Sequence, residues 1–237
     1  MRVPPWRGAR ARGGARAYAR AALPAKRLPW QEGRYCVLDL ELSGLDPRRH
    51  EIIAFGAIPV DSGRVRLDGA VTSLVRPTGP LAEESIRVHG IRSADLAGAP
   101  SLDDAIDTLL RAMAGRVLVA HYAHVERAFL RAPLRRAAVR LRGPVIDTSH
   151  LVPLWLAERD GAPPEDLTLT ALARACALPA HSPHTAIGDA LTTAQLFIAA
   201  ATHLDARTRQ TIGTLARAHH GLAARANYTP AVERTAR

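Results

Sequence analysis

The chain has 237 residues, a length that suits one well-cored domain with additional terminal segments. Apolar residues make up 47% of it, yet no apolar run approaches the roughly 18 residues that a membrane-spanning helix needs, so we expect no membrane partner. The two cysteines, Cys36 and Cys176, form no CxxC pair, which excludes a thiolate zinc site and a disulfide framework and favours a reducing, cytoplasmic location.

The formal net charge is +10, and it is concentrated at the two ends of the chain. Residues 1–30 hold eight basic side chains and no acidic one, whereas residues 31–200 are close to neutral. Because the first residues are rich in Arg, Ala, Gly and Pro and show no apolar periodicity, we predict that residues 1–33 form a basic, disordered leader. Such a leader is either a tail for nucleic acid or a partner protein, or a solvated extension.

The first part of the folded body predicts an antiparallel meander of three strands, at 35–40, 51–60 and 66–75. Helices and strands then alternate. One predicted helix begins near residue 82, and five more cover 102–114, 124–140, 148–158, 167–177 and 185–203. Two more predicted strands cover 116–120 and 145–147. This order predicts an α/β protein in three layers, with a mixed five-stranded sheet flanked by helices. A last helical stretch up to residue 224 and a polar tail form a predicted extension over 205–237.

The first predicted strand ends in two carboxylates, Asp39 and Glu41. Side chains two residues apart on a strand point to the same face, so these acids lie side by side. No cationic side chain between Val37 and Leu45 neutralises them, and the two carboxylates repel each other unless a divalent cation lies between them. The pair therefore favours a metal site at the end of the strand over two solvated acids.

Three further side chains stand where they can complete such a site. Glu126 lies in the first turns of the helix that follows a buried strand. His184 lies on the loop before a later helix, and Asp189 lies about one helical turn inside it. Taken alone, each of these side chains is most simply a solvated surface residue. Together with the two strand acids they form a group of four carboxylates and one histidine. The chain contains no G-x-x-x-x-G-K-[ST], G-x-S-x-G or G-x-G-x-x-G motif, which excludes the common nucleotide-binding loops and hydrolase elbows.

The order and spacing of these segments resemble a known family. Residues 38–46, L-D-L-E-L-S-G-L-D, resemble D-x-E-T-T-G-L, the first motif of DnaQ-like 3′–5′ exonucleases of the DEDDh type, such as DNA polymerase III epsilon subunits and RNase T. Residues 119–130 resemble the second motif, H-N-A-x-F-D, and residues 184–190 resemble the third, H-x-A-x-x-D-A. Segments 85–101 and 145–148 also match the family pattern. The resemblance covers residues 34–204, which we predict to be an exonuclease domain.

The resemblance implies a ribonuclease H-like fold and hydrolysis of phosphodiester bonds with two divalent cations, Mg²⁺ or Mn²⁺, about 3.5–4 Å apart. Asp39 is then expected to bridge both cations. Glu41 and Asp189 hold the cation that carries the attacking water, and Glu126 supports the second. His184 is the expected general base, since the ordinary pKa of a histidine lies near neutrality. The candidate contacts to the terminal nucleotides are Leu42, Ser43, Gly44, Leu45, His89, His121 and Phe129.

The resemblance also implies the substrate and the partners. We expect release of nucleoside 5′-monophosphates from single-stranded 3′ ends of DNA, in proofreading or repair, with a DNA polymerase as a partner bound through the tails. An RNA-trimming exoribonuclease shares the same motifs and is the alternative.

Two departures from the family pattern keep a third interpretation open. Tyr122 replaces the usual Asn, and Glu126 stands where the family has Asp. Glutamate keeps the charge and the oxygen ligands but adds a methylene, and Mg²⁺ demands near-ideal octahedral geometry. The alternative is therefore a catalytically degenerate module that binds nucleic acid or protein without cutting. With the other three acids and His184 intact, we expect activity to be retained.

Overall fold

The structure is a computed structural model that describes residues 13–218. Six strands in this range form one mixed sheet: β1 (Arg34–Leu42), β2 (Ile52–Asp61), β3 (Arg64–Val65), β4 (Val71–Leu74), β5 (Val117–Ala120) and β6 (Val145–Asp147). The strand order is β3-β2-β1-β5-β6, and β4 pairs with a different part of β2. β1 and β2 are antiparallel, whereas β1, β5 and β6 are parallel.

Helices cover both faces of the sheet. The α-helices of the described residues are α1 (Gly13–Arg20), α2 (Glu83–His89), α3 (Ser93–Leu96), α4 (Leu102–Met113), α5 (Ala123–Arg136), α6 (Thr148–Asp160), α7 (Leu169–Ala175), α8 (Ala186–Arg207) and α9 (Ile212–Leu215). Short 3₁₀ helices occupy Trp30–Glu32 and Leu67–Gly69.

Alternate residues of β1 face two separate apolar cores. Tyr35 and Val37 pack into the core formed with α8, where the Tyr35 and Phe197 rings lie 4.8 Å apart. Cys36 and Leu38 pack into the other core, formed with α4 and α5. Because side chains alternate along a strand, the odd-numbered residues of β1 all belong to the face that α8 covers.

The predicted three-layer α/β fold, a mixed sheet flanked by helices, is confirmed, but the sheet has six strands instead of five. The strand predicted at 66–75 is wrong as a single element. The 3₁₀ helix Leu67–Gly69 interrupts it, since an Asp-Gly pair favours a turn. The two pieces, β3 and β4, pair separately with β2.

The predicted disorder of the leader is wrong for residues 13–33. Helix α1 packs against α4, Tyr18 is buried, and the amide of Gly14 donates a hydrogen bond of 2.5 Å to Asp107. Arg142 donates to three backbone carbonyls at the end of α1, at 2.6–3.0 Å. Only Ala15 and Tyr18 supply the apolar stripe of this helix, too few to stand out among arginine, alanine and glycine.

The segment after α1 pairs with the segment after α8. The Trp30 amide donates to the Gln210 carbonyl at 3.2 Å, and the Gly213 amide donates to the Lys26 carbonyl at 2.7 Å. Part of the predicted C-terminal helical extension is present as α9. Residues 1–12 and 219–237, with the rest of that predicted extension, lie outside the described residues. Within the described range, no helix is both long enough and apolar enough to cross a bilayer.

Candidate active site

Three carboxylates predicted from separate segments meet beside β1. Asp39 and Glu41 lie on the face that α8 covers, and Asp189 lies in the first turn of α8. One oxygen from each of the three lies within 4.8 Å of the others. The structure thus brings together three of the four predicted metal-binding acids in one small cluster.

Glu126 approaches the same cluster from α5. Glu126 is only 4% exposed, whereas a glutamate side chain is ordinarily charged and hydrated. Its Oε2 has no hydrogen-bond partner among the described residues. Glu41 is similarly buried, and its Oε1 has none either. A buried carboxylate oxygen without a hydrogen-bond donor destabilises the fold. A bound divalent cation removes that cost, because the oxygen then acts as its ligand. The residues present therefore fit divalent cations.

The protonation equilibria of the cluster reflect this crowding. Burial raises the pKa of Asp39 well above its usual range, and the charges of the other three carboxylates add to the shift. Burial and the charge of Asp189 raise the pKa of Glu41 to about 7. Burial also raises the pKa of Glu126 and of Asp189. All four shifts favour the protonated carboxyl groups, and a bound divalent cation would oppose them.

His184 lies at the mouth of this cluster, on the loop before α8. Its side chain is exposed and its backbone has a φ of 64°, which is rare outside glycine. The amide of His184 donates a hydrogen bond of 3.1 Å to Oδ2 of Asp189. The loop therefore holds His184 at a fixed place relative to the acids while its imidazole stays accessible.

A family model described as an exonuclease family, RNase_T, matches residues 36–197. The chain belongs to this exonuclease family. That match confirms the resemblance seen in the motifs, and it spans all four acids and His184.

Individual relatives of this exonuclease domain agree. The DNA polymerase III subunit epsilon-like protein of Rhodobacter capsulatus is 32% identical over 189 residues, which cover 79% of this chain and 26% of that protein. DNA polymerase III subunit epsilon of Aquifex aeolicus is 25% identical over 167 residues, covering 70% of this chain and 80% of that protein. The chain spans about a quarter of the length of the Rhodobacter relative. A solved structure of exonuclease X with 5′-overhanging duplex DNA has the same fold, with a TM-score of 0.60 at 24% identity, covering 78% of this chain and 99% of that one.

The loop after β1 lies directly beyond the acids of the exonuclease domain. The β1–β2 register shifts between Glu41 and Leu42, and the amide of Glu51 donates to Ser43 Oγ at 2.9 Å. A Cβ on Gly44 would lie 2.5 Å from the His50 ring, so a side chain at this position requires that ring to move. Leu45 follows with 82% of its surface exposed. An apolar side chain so exposed at the edge of the acid cluster suits contact with a base.

His89 also lies near this loop, at the end of α2. Its Nδ1 accepts a hydrogen bond from the Ile91 amide at 3.0 Å, whereas its Nε2 is buried. Burial lowers the pKa of His89, while a hydrogen bond involving the Leu42 backbone opposes that shift. Because Leu42 begins the loop that carries the other predicted nucleotide contacts, its contact with His89 places His89 against that loop.

The structure places two of the predicted substrate contacts, His121 and Phe129, inside the fold. Both ring nitrogens of His121 are engaged, with Thr148 Oγ1 at 3.0 Å and the Leu167 carbonyl at 2.9 Å. Phe129 is only 6% exposed and belongs to the core beneath α5. These contacts engage both ring nitrogens of His121 and leave little surface on Phe129, so the structure places both side chains inside the fold, and their contact with a nucleotide stays a prediction.

Asp147 is the functional neighbour that the motifs did not single out. Its carboxylate accepts hydrogen bonds from the amides of Tyr122 and Ala123, at 3.1 and 2.9 Å. Tyr122 has a φ of 57° and caps α5, and Glu126 follows one turn later. Asp147 thus fixes the helix start that presents Glu126. The sequence feature that could have indicated this role is an acidic residue at the carboxyl end of β6, the parallel strand next to β5.

A glycine in β2 makes room for the start of α8. Gly56 pairs with Asp39 across the sheet, and a Cβ built on it would lie 2.3 Å from the Ala186 carbonyl oxygen. Real Cβ atoms do not approach backbone so closely, so a side chain at this position would displace α8. The absence of a side chain at Gly56 lets Asp189 reach the acids of β1.

Proposed function

We propose that this domain is a divalent-metal-dependent 3′–5′ exonuclease that releases nucleoside 5′-monophosphates from single-stranded 3′ ends of DNA. The observation that carries the proposal is the cluster of Asp39, Glu41 and Asp189, with their oxygens within 4.8 Å of one another, beside a buried fourth acid. Acids so placed have no structural purpose of their own, because their mutual repulsion opposes folding.

The four acids are the residues that would hold Mg²⁺ or Mn²⁺. Asp39 is near all three other acids, since the charge of each raises its pKa. Glu41 and Glu126 each contribute an oxygen that lacks a hydrogen-bond donor among the described residues. Two bound cations would supply charge neutralisation at the phosphate, an acidified water and a stabilised leaving oxygen.

The protein's own groups do the rest of the chemistry. His184 accepts the proton of the attacking water on a ring nitrogen, because it is exposed above the acids and anchored through its amide. The loop over 42–45 holds the terminal nucleotide, with Leu45 against the base and Ser43 and Gly44 leaving room for the sugar and phosphate. His89 supports this loop from α2 and contacts the strand.

DNA is the preferred substrate in this proposal because several of the curated relatives are named as DNA polymerase III subunits or polymerases. The same names motivate a DNA polymerase as partner. RNA is the second candidate, since the acid cluster acts on the phosphodiester that both polymers share.

The test is a comparison of matched substrates. Single-stranded DNA and RNA of the same sequence, labelled at the 5′ end, are incubated with Mn²⁺, Mg²⁺ or EDTA. We expect a ladder that shortens from the 3′ end with either metal, faster on DNA, and no reaction in EDTA or with Asp189→Asn. Faster cleavage of RNA would replace DNA by RNA as substrate. No metal-dependent shortening of either polymer would leave a binding module and overturn the proposal.

A further inference from the structure

An open groove of about 950 Å³ lies beside the active site, outside the acid cluster. Its lining comes from the exposed face of α5 on one side, from Lys26 with residues 213–218, and from the chain over 139–147. Six basic side chains line it: Lys26, Arg127, Arg131, Arg135, Arg140 and Arg217.

The positive charge of this groove is not neutralised. Within residues 13–218, none of the six basic side chains forms an ion pair with a carboxylate. The one carboxylate in the lining, Asp147, already accepts hydrogen bonds from Tyr122, Ala123 and Ser149. A concave surface with one sign of charge concentrates field lines and attracts polyanions.

The arginines of α5 are spaced for a repeating anion. Arg127, Arg131 and Arg135 are four residues apart, so they lie on one face of the helix about 6 Å apart along its axis. That rise is similar to the separation of neighbouring phosphates along an extended strand. Guanidinium groups bind phosphate oxygens in bidentate fashion and suit such contacts better than a point charge does.

The groove adjoins the candidate active site at the start of α5. Helix α5 starts at the carboxyl end of β5, and its first turns carry Glu126 inward and His124 into the groove lining. From there α5 runs back along the outside of the sheet. A strand whose 3′ end occupies the acid cluster can therefore continue past His124 and along the three arginines.

The second wall comes from parts of the chain that the family match does not include. Lys26 and residues 213–218 lie outside the matched range 36–197. They are joined to each other, because the Gly213 amide donates to the Lys26 carbonyl at 2.7 Å and the Ile212 amide donates to the Leu28 carbonyl at 3.1 Å. Lys26 and residues 213–218 thus add a second side to the basic face of α5, and the two sides together form the groove.

We propose that this groove binds the phosphate backbone of the single strand, upstream of the nucleotide in the active site. The choice of a nucleic-acid strand over an acidic protein segment rests on the proposed function, since the substrate already lies at the groove's entrance. The groove accordingly distinguishes long strands, which reach it, from short ones, which do not.

The test measures binding without hydrolysis. Fluorescence anisotropy in EDTA, over a series of salt concentrations, is recorded with single-stranded DNA of about 20 nucleotides, longer than a typical single-strand site. The wild type is compared with the triple variant Arg127→Ala, Arg131→Ala, Arg135→Ala. The control is Arg64→Ala, Arg174→Ala, Arg207→Ala, which removes the same charge from exposed positions outside the groove.

For the long strand, we expect the groove variant to bind roughly tenfold more weakly and its salt slope to fall by about 2, as for three lost contacts to a single strand. The control should match the wild type. Equal weakening by both variants would show a general charge effect, and an unchanged groove variant would show that the groove serves another ligand; either result overturns the proposal. Because no cleavage is needed, lack of nuclease activity would refute the proposed function without altering this outcome.

Discussion

The backbone amide of His184 and the carboxylate of Asp189 are joined by a hydrogen bond of 3.1 Å across the start of α8. The bond opposes the burial that raises the pKa of Asp189, so it favours the charged form that binds a cation. It also fixes a loop whose His184 backbone is left-handed, with a φ of 64°. The proposed general base and one proposed metal-binding acid are thus positioned by a single contact that does not involve the imidazole.

Replacing the imidazole should therefore separate base catalysis from metal binding. His184→Asn keeps the amide and a residue type that tolerates a left-handed backbone. We expect kcat to fall by roughly 10²–10⁴, the usual contribution of a general base, with metal affinity and KM little changed. The control is His203→Asn on the far part of α8, which should keep wild-type kcat. A His184→Asn enzyme with unchanged kcat near neutral pH would remove His184 from the mechanism.

The raised pKa of Glu41 makes a prediction about stability. A carboxyl with a pKa of about 7 in the fold, against an ordinary value of 4.5, binds more protons in the folded state than in the unfolded state between these limits. The free energy of unfolding of the metal-free protein therefore falls as pH rises from 4.5 to about 7. Glu41→Gln removes this cost, so in EDTA its Tm should exceed that of wild type by a few degrees at about pH 7.5.

Thermal denaturation at two pH values checks this sign. Near pH 4, where Glu41 is protonated in both states, the advantage of Glu41→Gln should vanish. The exposed acid Glu165 provides the control, since Glu165→Gln should change Tm little at either pH. Adding Mn²⁺ should stabilise the wild type more than Glu41→Gln. A Glu41→Gln protein that is less stable than wild type in EDTA near neutrality would contradict the charge repulsion on which the site rests.

Glu126 is one of the two positions at which the sequence motifs predict a departure from the family pattern. If its unpartnered Oε2 reaches a cation, Glu126→Ala should be nearly inactive and Glu126→Asp should keep substantial activity. We also expect Mn²⁺ to support the wild type better than Mg²⁺, because Mg²⁺ tolerates distorted octahedra poorly. The measurement is the rate of the three proteins at saturating concentrations of each metal. Equal rates for all three would show that Glu126 is not a ligand.

Much of the fold and of the acid cluster follows from local sequence patterns. The period of two along β1 places Asp39 and Glu41 on one face, and the helix start after His184 places Asp189 one turn later. What local patterns did not predict depends on contacts between distant segments. His121 and Phe129 lie in a motif next to Glu126, yet packing turns them into the fold.

In the leader, by contrast, local sequence predicts disorder where contacts with distant segments produce order. Its composition is typical of disorder, but Tyr18 inserts between α4 and the chain near Arg142 and is 2% exposed. Arg142 completes the contact by binding the carbonyls at the end of α1. No pattern within residues 13–33 indicates either partner, because both lie more than 80 residues away in sequence. Tertiary contacts here override local composition.

Gly56 offers a test of how closely the site depends on backbone packing. Gly56→Ala places a Cβ 2.3 Å from the Ala186 carbonyl oxygen, so the start of α8 must shift away from Asp39. Small displacements of catalytic groups are costly, and we expect kcat to fall by roughly 10²-fold together with a lower Tm. Gly98→Ala is the matched control, since nothing lies within 4 Å of a Cβ there. Wild-type kcat in Gly56→Ala would show that the site adapts to the shift.

The most direct test of the account is the identity and metal dependence of the first product. A single-stranded oligonucleotide is incubated with the wild type or Asp39→Asn, and the released species are identified by mass spectrometry. We predict that the wild type releases nucleoside 5′-monophosphates from the 3′ end in Mn²⁺ and none in EDTA, and that Asp39→Asn releases none in either. Release of nucleoside 3′-monophosphates, release that persists in EDTA, or an active Asp39→Asn would contradict a metal-dependent 3′–5′ exonuclease centred on Asp39.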